Sequence, residues 1–233
     1  MSAHFHARLQ LHWRRNLAIS QSMMTSPDYS FELAAQSRGL ALIAGVDEVG
    51  RGPLCGPVVA AAVILDPRQI PSGLNDSKKL SEKVRERLFG ELMSLATVGL
   101  GMASVEEIDQ INILRASHLA MERAVAALAM PPDHLLIDGN QKPRGLRLSC
   151  ETIVKGDGKS VSIAAASIIA KVTRDRIMVD LAQQHPGYGW AKNAGYPTKD
   201  HIAALQNLGV TPVHRRSFKP VHKMLYQEKF VSA

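Results

Sequence analysis

The chain has 233 residues, 45% hydrophobic and 21% charged, a balance that excludes collagen-like, coiled-coil and wholly disordered proteins. Lysine and arginine number 28 against 21 acidic residues, so the formal net charge is +7 and favours a polyanionic partner such as nucleic acid. Cys55 and Cys150 stand far apart without Cys-x-x-Cys spacing, which argues against a disulfide framework or zinc site and fits a reducing cytoplasm, while the longest apolar run, Val58 to Leu65, is far short of the roughly 18 residues that span a bilayer.

Residues 1–39 differ from the rest. His4, His6, Arg8, His12, Arg14 and Arg15 precede the first acid, Asp28, so the segment reads as a flexible extension: a basic arm, an organellar leader, or a start upstream of Met23 or Met24. From Leu40 the periodicity is that of an α/β domain. Ala41 to Asp47 and Pro57 to Leu65 are β-type runs joined by a tight loop containing Gly50, Gly52, Pro53 and Gly56. Ser81 caps a predicted helix through Leu95 with Val84, Leu88 and Leu92 on one face. Thr97 to Ala103 is a third strand, and Ser104 with Glu107 makes a capping box. A helix from about Asn112 runs towards Ala129, where Pro131-Pro132 forbids continuation, and His134 to Asp138 is a short strand. Cys150 to Lys155 reads as a strand, Ser160 to Gln183 and Thr198 to Leu208 as helices. The expected organisation is an extension over 1–39, one catalytic domain over 40–210 and a basic tail over 211–233.

The chemistry concentrates where acids end apolar strands. Asp47-Glu48 follows a buried run, and a charge is placed there only if paired or bound to a cation. Alternation sends the two to opposite faces unless the glycines that follow end the strand and let both converge; the competing role for Glu48 is an ion pair with Arg51. Asp138 repeats the pattern beside Gly139. Strand-end carboxylates without competing His or Cys suit magnesium or manganese, and paired metals can clamp both oxygens of a phosphodiester under hydrolysis. Spacing leaves the fourth acid open between Asp157, in the Gly156-Asp157-Gly158 loop, and Asp175, whose alternative role is an ion pair with Arg174 or Arg176. Gly50-Arg51-Gly52 lets backbone amides approach a phosphate or sugar, and Arg51 can grip phosphate in bidentate fashion. Lys78 and Lys79, the tail residues Arg215, Arg216, Lys219 and Lys223, and the aromatics Tyr196 and Trp190 together suggest a nucleic-acid groove.

These residues resemble the ribonuclease HII family from about Leu40 to Val221. The likeness is carried by Gly45-Val46-Asp47-Glu48-Val49-Gly50-Arg51-Gly52-Pro53, Leu74 to Ser81, Leu136-Ile137-Asp138-Gly139-Asn140, Val154-Lys155-Gly156-Asp157, Ala164 to Val172, Gly195-Tyr196-Pro197-Thr198 and His214-Arg215-Arg216-Ser217-Phe218. It implies a ribonuclease H-like fold, a mixed sheet flanked by helices with a C-terminal helical appendage. It also implies a Mg2+- or Mn2+-dependent, two-metal endonuclease that cuts the RNA strand of RNA/DNA hybrids and incises 5′ of single ribonucleotides in duplex DNA. The resemblance makes Asp47, Glu48, Asp138 and Asp157 the catalytic metal ligands, with Asp157 preferred to Asp175. It assigns Gly50, Arg51, Gly52 and Tyr196 to the ribose 2′-hydroxyl, which alone separates the two sugars. Lys78 and Arg215 complete the expected substrate contacts. Where many members carry His-Lys before Gly-Tyr, this chain has Asn193-Ala194, so that basic contact is absent or supplied by Lys192. The expected protein is a cytoplasmic monomer that binds nucleic acid and no membrane; the alternative is a non-catalytic hybrid-binding module.

Overall fold

The strands are β1 (Ile43–Val49), β2 (Val58–Ile64), β3 (Thr97–Ala103), β4 (His134–Asp138) and β5 (Ser149–Ile153). The structure, a computed structural model, describes residues 26–226 and joins these strands into one mixed sheet in the order β3-β2-β1-β4-β5. A short loop links β1 to β2, so they pair antiparallel, as do β2 and β3; β4 is reached only after an intervening helical excursion and pairs parallel to β1. β5 continues the parallel set. The mixed sheet between helical layers is the expected fold class.

Helices cover both faces. They are α1 (Ser30–Gln36), α2 (Glu82–Leu95), α3 (Val105–Ile111), α4 (Ile113–Ala126), α5 (Val161–Gln184), α6 (Trp190–Asn193), α7 (Lys199–Leu208) and α8 (Lys219–Tyr226). Ser81, Ser160 and Thr198 each accept from an amide in the first turn of their helix, and Ser104 and Glu107 make both bonds of the capping box. On one face Ala44, Val46, Ala60 and Ala62 pack on Ala116, Ala120 and Ala124 of α4. On the other Ala61 and Val63 pack on Leu88 and Leu92 of α2 and on the apolar length of α5 from Val161 to Val172. Small residues let the layers close. A Cβ on Gly45 would lie 2.1 Å from the Ser162 carbonyl carbon, and one on Gly101 would lie 2.2 Å from the Ala120 oxygen.

Two boundaries differ from the sequence reading. Within the segment expected to be a flexible extension, residues 1–25 lie outside the described residues, but α1 is packed: Glu32 and Ala35 are fully buried. Glu32 Oε1 accepts from Ser160 Oγ at 2.6 Å and Ser162 N at 3.0 Å, and Asp28 bridges to Ser160. The segment begins polar and carries no strand period, so nothing local announces these long-range bonds. The tail after Thr211 is likewise integrated, with His214 and Arg215 fully buried and Val221 in a small core with Leu54 and Leu205. No helix among the described residues is long and apolar enough to cross a membrane.

Candidate active site

Parallel pairing of β1 and β4 sets Val46 beside Ile137, and the next residues in each strand are Asp47 and Asp138. Asp138 Oδ1 accepts from Gly156 N at 2.7 Å, which ties the end of β4 to the single turn of 3-10 helix at Gly156–Gly158 that carries Asp157. That turn leads directly into α5. The turn at Ser77–Lys79 adds Lys78, whose Nζ is 3.9 Å from Asp157 Oδ2. Three acids and one lysine thus gather about the carboxyl ends of two adjacent strands.

β1 does not end at the glycines; it runs through Glu48 to Val49, so alternation holds. Asp47 pairs with Ala61, which faces α5, whereas Glu48 pairs with Ala60, which faces α4. The convergence that an earlier strand end would have allowed is absent. Glu48 instead lines a cavity of about 110 Å3 with Arg51, His118, Asp138 and Asn140, and Arg51 Nη1 is 3.3 Å from Glu48 Oε1, the ion pair named as its competing role.

The electrostatics show negative charge only partly offset by Arg51 and Lys78. Burial, then the carboxylates of Glu48, Asp138 and Asp157, push the Asp47 carboxyl well above its usual range, opposed only by the Glu48 amide donating to Oδ1 at 2.7 Å. Burial also lifts Glu48, with Arg51 opposing; burial, then Asp76 and Asp138, lift Asp157, with Lys78 opposing. Burial works against the Lys78 charge, yet Asp76, Asp47, Asp157 and Asp138 together hold its pKa up. The donors are carboxylate oxygens, the kind that suits a hard divalent cation, and a cation is what relieves such mutual repulsion. Among the described residues, no three His, Cys, Asp or Glu side chains stand close enough to ligate one ion, in keeping with the placement of Asp47 and Glu48 on opposite faces.

Beside the acids lies the glycine loop. Gly50 has φ +97°, and Arg51 and Gly52 are exposed. A Cβ on Gly52 would stand 3.2 Å from the Tyr196 ring, so Tyr196, 43% exposed, flanks the loop. Two expected contacts fail on burial. Arg215 is fully buried with its guanidinium on backbone carbonyls, so it cannot touch substrate; Trp190 is fully buried, stacked on Tyr188 at 4.8 Å with its indole donating to His201 at 2.9 Å. Tail basicity pointed outward in the sequence reading, but a guanidinium that finds enough acceptors can be buried. Arg216, Lys219 and Lys223 are exposed. Asp175 is held by Lys171 Nζ at 2.7 Å, one helical turn back, rather than by Arg174 or Arg176. Asn193 closes its own loop, donating to the Tyr188 carbonyl and accepting from Gly195 N, while Lys192 is exposed nearby. The sequence pattern gives His118 no role, Asp76 none beyond membership of the polar loop with Lys78, and Arg174 none beyond an ion pair with Asp175. His118 was legible from Leu114, Ser117 and Met121, which share its helix face, and Arg174 as a charge inside the apolar run of α5.

With this geometry in hand, known proteins supply a frame. The family model described as Ribonuclease HII matches residues 44–221. A ribonuclease HII of Ruegeria pomeroyi is 71% identical over 205 residues, covering 88% of this chain and 88% of that protein. The crystal structure of ribonuclease H2 from Pyrococcus horikoshii OT3 matches with a TM-score of 0.66 at 28% identity, over 79% of this chain and 97% of that one. Bst-RNase HIII, crystallised in complex with Mn2+, shares the fold with a TM-score of 0.63 at 23% identity, over 84% of this chain and 73% of its own.

Proposed function

The chain belongs to the ribonuclease HII family and is a nuclease hydrolase of ribonuclease H type 2, and on that premise we propose that it cuts the RNA strand of RNA/DNA hybrids and incises 5′ of single ribonucleotides embedded in duplex DNA. It leaves 3′-hydroxyl and 5′-phosphate ends and acts as a cytoplasmic monomer. The observation that carries this reading is the approach of Tyr196 to Gly52, close enough that a Cβ on Gly52 would meet its ring, only a few residues beyond Asp47 and Glu48: elements suited to reading a sugar lie next to those suited to phosphodiester chemistry.

Each residue has a role in this reading. Asp47, Glu48, Asp138 and Asp157 would hold two divalent cations, Mg2+ or Mn2+, which when bound supply an activated water and neutralise charge at the scissile phosphate. Asp47, buried and in the field of the other three, would contribute the carboxylate whose charge a cation relieves most. Lys78 lies against the acids and balances them while substrate is absent. Amides of Gly50 and Gly52 approach the ribose 2′-hydroxyl, Tyr196 supports the sugar, and Arg51 takes a flanking phosphate. No protein nucleophile is needed.

Incubation with a DNA duplex containing one ribonucleotide, with and without Mg2+, tests the reading. A metal-dependent nick on the 5′ side of the ribonucleotide is expected. Binding without scission would favour the hybrid-binding module instead, and turnover of small phosphate esters with little salt sensitivity would point away from a polyanionic substrate.

A further inference from the structure

Two arginines lie beneath the glycine loop, and neither forms a salt bridge among the described residues. Arg174 and Arg215 are 1% and 0% exposed. Arg215 bonds Gly50 O at 2.7 Å, Gly56 O at 2.8 and 2.9 Å, Pro53 O at 2.8 Å and Arg51 O at 3.2 Å, which occupies all five of its N–H groups. Arg174 bonds Pro57 O at 3.0 Å, Cys55 O at 3.2 Å and Ala194 O at 3.0 Å. Asp109, a carboxylate near Arg215, is engaged by the amides of Arg216 and Ser217 and by the Ser217 hydroxyl. The thiol of Cys55 offers no anion, because burial pushes it up to about 12. Burying two like charges without a counter-ion is unfavourable, so their retention calls for a reason in what they hold.

What they hold is the loop's polarity. Six carbonyls between Gly50 and Pro57 turn inward to the guanidinium groups, while the N–H groups of Gly50, Arg51 and Gly52 have no acceptor among the described residues. Gly50 is required for the fit: a Cβ there would fall 2.2 Å from Arg174 Nε. The Ala194 carbonyl, two residues before Tyr196, sits on Arg174, so the loop and the tyrosine share one support.

We propose that Arg174 and Arg215 act as a carbonyl clamp that fixes the Gly50–Gly52 loop with its amide donors facing the ribose, making them positioning residues for ribonucleotide discrimination that never touch substrate. The proposal rests on the reading that this loop meets the 2′-hydroxyl. A lysine keeps the charge but lacks the planar fork, so it separates positioning from electrostatics.

The test compares binding, in chelator, of a DNA duplex containing one ribonucleotide and of the same duplex in all-DNA form. Wild type should prefer the first, and folded Arg215→Lys and Arg174→Lys should bind all-DNA duplex as wild type does while losing tenfold or more of the preference. Folded lysine variants with the wild-type preference would overturn the clamp. A wild type without preference would overturn the reading of the loop, and the clamp with it. Should the variants fail to fold, the Nη protons of Arg215 in wild type decide: separate, slowly exchanging NMR signals support the clamp, and one averaged signal overturns it.

Discussion

Replacing Gly45 by alanine probes the contact on which the site's geometry depends. In a strand interior alanine is ordinarily favoured over glycine by roughly 0.5–1 kcal/mol. Here the new Cβ would lie 2.1 Å from Ser162 C, 2.3 Å from Ser162 O and 2.4 Å from Ile163 N, all backbone atoms that no side-chain rotation can move. Restoring ordinary contact at 3.4 Å requires the amino end of α5 to retreat from β1 by about 1 Å, which costs about 1–3 kcal/mol and outweighs the strand preference. Net of the strand preference the loss is about 0–2.5 kcal/mol, and at about 2–4 °C per kcal/mol for a chain of this size Tm should fall by up to about 10 °C. The same retreat separates Asp157 from Asp47, because Ser160 N bonds Gly156 O at 2.8 Å and carries the turn along with the helix. A displacement of about 1 Å can cost on the order of 100-fold in rate. Calorimetry and single-ribonucleotide cleavage on the same preparation check both numbers. A Gly45→Ala protein with Tm within a degree and activity within twofold of wild type would refute the argument that this glycine sets the spacing of the acids.

Three further expectations follow from the electrostatics. The Asp47 carboxyl is raised in the folded state, so its contribution to stability is full below the unfolded pKa near 3.9 and is lost as pH rises through the folded value; in chelator, Asp47→Asn should melt higher than wild type at pH 7, with the gap closing towards pH 4, while cleavage is abolished, and equal melting at pH 7 would contradict this. Lys78 opposes the upward shift of Asp157, so Lys78→Met should move the acid limb of the pH–rate profile to higher pH, yet change stability by less than about 1 kcal/mol because the lysine side chain is 76% exposed; an unmoved limb would show that Lys78 does not act on Asp157. Burial, then His201, depress His214 to about 4 from 6.5, so the folded protein keeps its full stability above pH 6.5 and loses on the order of 3 kcal/mol as pH falls through 4; His214→Gln should flatten that slope in denaturant titrations, and an unchanged slope would place the acid sensitivity elsewhere.

The His201–His214 pair shows why this sensitivity is structural. Thr211 N and Oγ1 stand 3.0 and 2.8 Å from His214 Nδ1, and the Trp190 indole donates to His201 Nε2, so each ring must keep an acceptor nitrogen. His201 Nδ1 then donates to the Tyr196 carbonyl at 2.9 Å. Protonating His201 replaces an acceptor with a donor on the ring that holds the carbonyl of Tyr196, the tyrosine that flanks Gly52.

Local pattern was enough to place most elements. The capping box at Ser104, the helix after Ser81 and the strands Thr97–Ala103 and His134–Asp138 depend on neighbours a few residues away, and they stand where the periodicity set them. The acids at the ends of apolar runs, and the ordered motifs around them, were equally legible because a charge after a buried strand is anomalous in one dimension. Three-dimensional pairing decided the rest. Only the parallel register of β1 and β4 sets Asp47 beside Asp138, and only the continuation of β1 through Val49 divides Asp47 from Glu48 across the sheet. The packing of α1 and the burial of Arg215 follow from partners far along the chain: the carbonyls that hold Arg215 lie 159 to 165 residues away, and Glu32 meets Ser160 across 128. A guanidinium in a basic stretch looks like solvent-facing charge until the fold supplies enough oxygens to replace its water.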